Sequence, residues 1–187
     1  MERHPEHTRQ VLISATAGLI ADGPFTDVGL VNICRAAGVS RGALYHHFAS
    51  IAELVARVYD QARARVDELF DESYRKSKSA SEAPAEFSIA LCAALLDEDL
   101  VRAGVRIGPD GTNAPPRLRE QALAKVREQI VANGPADHEE AEDIHGVADL
   151  AMVITAGLES LGHTDAYWWQ PETTRRIWDM VSRPDAA

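Results

Sequence analysis

Residues 38–48 read "GVSRGALYHHF", directly after "LVNICRAA" at 30–37. Leu30, Ile33, Cys34 and Ala37 recur at helical spacing, so a short helix is expected there, ended by Gly38. Ser40 is a fitting cap for a second short helix that runs to about His47. Two short helices joined by a tight glycine-containing turn make a helix-turn-helix, with Val39 as the apolar plug between them. In that motif the second helix brings its N-terminal residues to base edges in the major groove, here Ser40, Arg41, Gly42 and Ala43. Small residues at 42 and 43 let the backbone come close, and the planar fork of Arg41 suits a guanine edge. Leu44 and Phe48, four apart, point back into the domain. Tyr45, His46 and His47 follow where the groove wall would be, and their O–H and N–H groups are neutral donors to phosphate. Thr26 can donate there too, and the N-termini of the flanking helices offer free N–H groups.

Working outward, the period stays helical. Val11, Leu12, Ala15, Leu19 and Ile20 mark a first helix from about Glu6 to Ala21, stopped by "DGP" at 22–24. Ser50 and Glu53 form a capping box for a long fourth helix of about residues 50–74, its stripe running through Ile51, Leu54, Val55, Val58, Val66, Leu69 and Phe70. "KSKSASEAP" at 76–84 reads as a polar hinge or loop. Helices are expected at about 84–96, 100–107, 116–132, 136–161 and 171–182, with the loop "GPDGTNAPP" at 108–116. The fold is therefore all-α, of about nine helices: a three-helix, N-terminal helix-turn-helix domain at 1–50, linked through the fourth helix to a C-terminal domain at 51–187. The stretch "VADLAMVITAGL" at 147–158 is apolar on nearly every face, so one side is expected to meet its own core and the other a partner subunit.

The chain has 187 residues and a formal net charge of −10. The charge is uneven: residues 1–60 carry five arginines against six acids and residues 61–187 fourteen basic against twenty-three acidic residues, that is −1 and −9. Neutral donors at 45–47 answer the objection that an acidic chain binds phosphates poorly. Cys34 and Cys92 are too few for a disulfide framework and read as buried thiols. The charged start "MERHPEHTRQ" lacks the apolar core of a signal peptide, and no apolar run is expected to span a bilayer, which together predict a cytoplasmic protein.

The stretch "FTDVGLVNICRAAGVSRGALYHHFASIAELVARVYDQ" (25–61) resembles the DNA-binding domain of the TetR family of transcriptional regulators. The resemblance runs from about Thr8 to Tyr59. It implies a homodimer acting on a double-stranded DNA operator, with a small-molecule effector bound in the C-terminal domain and repression relieved by it. By position it assigns operator contacts to Thr26, Arg41, Gly42, Leu44, Tyr45 and His47. Two departures bear on DNA affinity: Gly29 stands where a Ser or Thr often caps the second helix, and Ile51 where a phosphate-binding lysine is usual. "DEDLVRAGVRI" (97–107) and the ending from "GLESLGHTDAYWWQPETTRRIWDMV" are also similar to the actinobacterial γ-butyrolactone-receptor branch, although residues 108–130 lack the tryptophan usual there. Effectors of butyrolactone, butenolide or furan type fit that likeness.

For polar anchors of an effector, Thr155 and Glu159 share a helix face at i, i+4, and Gln61 lies on the fourth helix. Trp168 and its aromatic neighbours either line the pocket or fill the dimer interface. Rival readings find less. His46 and His47 diverge by about 100° on a helix and cannot chelate one ion. His138, Glu142 and His145 have ligand spacing, but an acidic solvated helix face explains them, and no metal or other cofactor is expected. "GLESLG" is not the G-x-S-x-G elbow, and no phosphate loop occurs, so no catalytic residue is assigned. The competing class is a helical ligand-binding or interaction module that no longer binds DNA.

Overall fold

The computed structural model describes residues 5–77, 82–112, 118–133 and 144–181, with the backbone alone of 117 and 138–143. Among these residues there are nine α-helices and no strand: α1 Pro5–Asp22, α2 Leu30–Ala37, α3 Arg41–His47, α4 Ile51–Lys76, α5 Ala83–Asp97, α6 Asp99–Arg106, α7 Arg117–Ala132, α8 His138–Gly162 and α9 Pro171–Val181. Two 3-10 turns, Phe25–Asp27 and Ala166–Trp169, stand where the sequence shows no helical period.

The chain divides into two compact units, Met1–Arg65 with Glu98–Leu118, and Val66–Asp97 with Arg119–Ala187. The first unit is larger than the 1–50 segment, because α6 packs on α1 as firmly as α2 does. Gly104 explains the close fit of α6 on the first half of α4: a Cβ there would come within 2.3 Å of the Ala62 methyl. Arg106 donates to the carbonyls of Ile20 (2.6 Å) and Ala21 (3.0 Å), at a helix end with no basic residue of its own. After α6 the loop turns at Gly111, whose φ of +77° suits glycine and whose Cβ would meet the Ala52 carbonyl at 2.8 Å.

The buried stripe of α1 is Thr8, Leu12, Ile13, Thr16, Ala17 and Ile20: Leu12 and Ile20 are buried as expected, while Val11, Ala15 and Leu19 are half-buried. Thr16 can be buried because its hydroxyl donates to the Leu12 carbonyl at 2.8 Å. On α4 the expected stripe holds, extended by Tyr59 and Ala62, while Ile51 is only half-buried.

In the second unit α5 packs against α8, α9 and the 3-10 turn at 166–169. Phe87 is fully buried and meets Phe70 edge-on at 5.3 Å. Cys34 and Cys92 are both free and buried. Along α8, Ala148, Ala151, Thr155, Leu158 and Glu159 are buried while Val147, Leu150, Val153 and Leu161 are exposed. The expectation about membrane length needs correcting. Ile144–Gly162 is long and apolar enough to cross a bilayer by length and composition, because the run continues past the interruptions at Asp149 and Glu159. What distinguishes it physically is a buried carboxylate and hydroxyl on one face and an uncovered apolar stripe on another.

Candidate functional site

The turn before α3 is built by backbone chemistry. Gly38 has φ +63° and ψ 33°, and its N–H reaches the Arg35 carbonyl while that of Val39 reaches the Cys34 carbonyl at 3.0 Å. This left-handed closure is what a glycine one residue past a helix permits. Val39 itself is half-buried; the space between α2 and α3 is filled by Ile33 and Leu44, both fully buried. Ser40 caps α3, its Oγ accepting from the Ala43 N–H at 3.1 Å. Gly29 begins α2 without a side-chain cap.

The seven residues of α3 then divide by face. Leu44 and Phe48 bury on one side, with Arg9 stacked over the Phe48 ring at 4.9 Å. Arg41, Gly42, Tyr45 and His46 are exposed on the other, with Ala43 and His47 half-exposed. Arg41 and Tyr45, one turn apart, form the outward edge, and Tyr45 is 54% exposed, a large aromatic surface facing outward. No acidic residue lies on α3. The Leu44 side chain, at 0% exposure, belongs to the core and positions the helix, as its spacing with Phe48 implies. Thr26 is exposed in the 3-10 turn before α2. At the start of α4 the Glu53 N–H donates to Ser50 Oγ (3.0 Å), and the Glu53 carboxylate accepts from the Ala49 N–H (2.7 Å), one residue further back than the usual capping box. A carboxylate thus sits at the start of α4, beside Ile51.

The proposed effector anchors fall differently. Gln61 belongs to the first unit and pairs with Gln10 through both amides, at 3.3 and 3.1 Å. Thr155 and Glu159 belong to the second and are 1% and 2% exposed. The Glu159 carboxylate lies 2.5 Å from Arg119 Nε, its ion-pair partner, and 2.9 Å from His163 Nε2, so it is met from two sides. Trp168 is half-buried and meets Tyr167 edge-on, whereas the indole at Glu159 is that of Trp169, which donates to the Glu159 backbone carbonyl at 3.1 Å. Gly162 makes this possible: a Cβ there would lie 1.9 Å from Trp169 Nε1. Cys92 is also close to this group. Burial pushes its thiol up to about 11, the Thr174 hydroxyl facing it works the other way, and the field of Glu159 adds to the rise. His163 stands at i+4 from Glu159, a spacing legible in the sequence, whereas Arg119 and Trp169, which reach Glu159 from another element and across a turn, have no such signal.

The side chains of His138 and Glu142 lie outside the described residues; among those described, no three His, Cys, Asp or Glu side chains are grouped to hold a metal.

Residues 12–58 match the family model "Bacterial regulatory proteins, tetR family". The HTH-type transcriptional regulator AcrR of Shigella flexneri is 28% identical over 68 residues, which are 36% of this chain and 32% of that protein. The chain thus spans about a third of that relative's length. Among solved structures, a γ-butyrolactone receptor (ArpA-like protein) aligns with a TM-score of 0.62 at 19% identity, covering 95% of this chain and 98% of its own. The TetR family protein CprB from Streptomyces coelicolor A3(2) aligns with a TM-score of 0.67 at 20% identity over 95% of this chain and 87% of its own. CprB in complex with its biological operator sequence gives 0.61 at 22% identity, over 95% and 96%. These likenesses are likenesses of fold.

Proposed function

We propose that this chain, whose residues 12–58 match the model of the tetR family of bacterial regulatory proteins, is a member of that family and a cytoplasmic, ligand-responsive transcriptional repressor that binds a pseudo-palindromic operator as a homodimer. The observation that carries the reading is the two-faced α3: Leu44 and Phe48 lock the helix into the first unit while Arg41 and Tyr45 stand out from it one turn apart. Arg41 reads a base edge, Gly42 and Ala43 keep the approach close, and Ser40, Tyr45, His46, His47 and Thr26 position the backbone of the duplex. The apolar stripe Val147, Leu150 and Val153 of α8, with Met180 and Val181 of α9, supports the homodimer, since such a face needs a cover.

The second unit receives a small neutral effector, of butyrolactone, butenolide or furan type, with Thr155 and Glu159 as polar anchors. The fold likeness to γ-butyrolactone receptors supports that class. Helix α4, one continuous helix with residues in both compact units, carries the signal. An effector releases DNA only to the extent that it binds the DNA-incompetent state better.

The test is a selection from random duplexes with the full-length dimer, followed by titration of the selected DNA at two salt concentrations. Saturable binding that weakens with salt and with Tyr45→Ala supports the regulator. The module that no longer binds DNA is favoured by one observation, the Glu53 carboxylate beside Ile51 at the start of α4. An intact dimer from which no duplex is selected would establish that reading instead.

A further inference from the structure

The last turn of α3 sets two imidazoles side by side. His46 is exposed, His47 is half-exposed, and their rings meet edge to face with centroids 5.1 Å apart. Among the described residues neither ring has a hydrogen-bond or ion-pair partner. Imidazole is the side chain whose charge ordinarily changes between pH 5 and 8. Positive charge is scarce on this face: Arg41 is the one arginine or lysine on α3, and no acid on the helix would neutralise a new cation. The neighbouring elements supply no counter-ion either. Helix α1 carries Arg9, stacked over the Phe48 ring at 4.9 Å, with Glu6 and His7 before it and Asp22 at its far end beside Arg102. Helix α2 carries Arg35 as its one charge, and α4 begins with Glu53, whose carboxylate accepts from the Ala49 N–H at 2.7 Å. None of these groups pairs with either imidazole, so a proton gained there finds its counter-charge outside the protein.

We propose that His46 and His47 make operator binding proton-linked: the duplex is held more tightly at mildly acidic pH, and protons are taken up at these rings as the phosphates arrive. This rests on the reading of α3 as the recognition helix and adds a pH control to it. A neutral imidazole offers one N–H. The protonated ring offers two and a full charge, and a charge-assisted bond to phosphate is about twice as strong as a neutral one. Two cationic rings this close repel one another in the free protein, and the phosphates offset that repulsion, so protonation and DNA binding favour each other. Linkage fixes the sign. The bound state holds more protons than the free one, so affinity rises as pH falls and declines as pH rises.

The test titrates the selected DNA with the full-length dimer at about pH 8 and about pH 6, each over a range of salt. Affinity is expected to be about tenfold higher at the lower pH, and the salt slope steeper by about 2, since each phosphate neutralised contributes about −0.9. His46→Gln combined with His47→Gln keeps a neutral N–H donor at both positions and should bring the ratio of the two affinities close to one. His46→Gln alone should lower that ratio part of the way. Calorimetric titration in two buffers of different ionisation enthalpy counts the protons directly: about one to four should be taken up per dimer bound by the unmodified protein near pH 6.5. Equal affinity at the two pH values, or no proton uptake by the unmodified protein, overturns the proposal. So does a double variant that keeps the full ratio, which would assign the effect to other groups such as His7 or Glu53. DNA binding with no dependence on pH sinks this proposal alone, whereas a dimer from which no duplex is selected sinks the regulator and this proposal with it.

Discussion

Leu44 and Tyr45 are neighbours with opposite fates, and substitution should separate them. Leu44→Ala removes a fully buried side chain from the junction of α2 and α3 and should cost about 2–5 kcal/mol of stability, read as a lower denaturation midpoint. Tyr45→Ala should leave the midpoint unchanged within error and weaken DNA binding about tenfold, by loss of a hydrogen bond to a charged phosphate. A stability loss for Tyr45→Ala as large as that for Leu44→Ala would mean that its ring packs on the domain after all. Cys92 makes a prediction about pH. Its folded value of about 11 lies above the ordinary 9.0, so between these values the native state holds a proton that the unfolded chain has released. Stability is therefore complete below pH 9 and falls as pH rises towards 11, by an amount on the order of 1–3 kcal/mol. Cys92→Ala should flatten that alkaline limb in a pH series of denaturation curves; an unchanged limb would assign it to other groups.

At the scale of the element, the two ends of α2 behave differently because one glycine is required and the other is not. Gly38 closes the helix at φ +63°, so Gly38→Ala should destabilise by about 1–2 kcal/mol and lower DNA affinity through a misplaced α3. Gly29 is extended, at φ −126°, and a Cβ there would meet nothing within 4 Å. Gly29→Ser should therefore stabilise the domain, by a few tenths of a kcal/mol, through the missing cap. Opposite signs from two glycines at the ends of one eight-residue helix, measured in the same chemical denaturation series, would check the geometry of both. For α6 the close approach at Gly104 matters more than the Arg106 contact is able to offset: even one added methyl overlaps Ala62.

At the scale of the molecule, charge and apolar surface set how the chain meets its partners. Arg41 is the one arginine or lysine on α3, and the hydroxyl of Tyr45 beside it is a neutral donor that displaces no counterion. The slope of log affinity against log salt should accordingly be shallow, about −4 or flatter for the dimer, in the titration described above. A much steeper slope would place further arginines on the phosphates. The exposed α8 and α9 stripe carries a second prediction. Val153 is 68% exposed, and Val153→Glu together with Met180→Glu should convert the dimer to monomer in sedimentation, without loss of helix content, and abolish saturable operator binding. A double variant that stays dimeric would place the interface elsewhere.

The local pattern determined most of what is local. The spacing of Leu30, Ile33, Cys34 and Ala37, the glycine at 38 and the serine at 40 specify two short helices and their turn through nearest-neighbour chemistry, and the resemblance carried by residues 25–61 gave the turn its meaning. The nine helices were legible for the same reason, since apolar period and end signals are read along the chain. Tertiary structure alone decided which residues share a surface. It kept Leu12 and Ile20 in the α1 stripe but filled the rest with Ile13, Thr16 and Ala17, since Thr16 can satisfy its hydroxyl within its own turn, and it drew α6 into the unit that carries the helix-turn-helix, because Gly104 and Ala62 allow near-contact of two backbones. Around Glu159 local spacing offers Thr155 one turn before and His163 one turn after. Arg119 comes to that carboxylate from another element, the Trp169 indole donates to the Glu159 backbone carbonyl across a turn, and Cys92 on α5 lies within its field, by packing choices that no local spacing records.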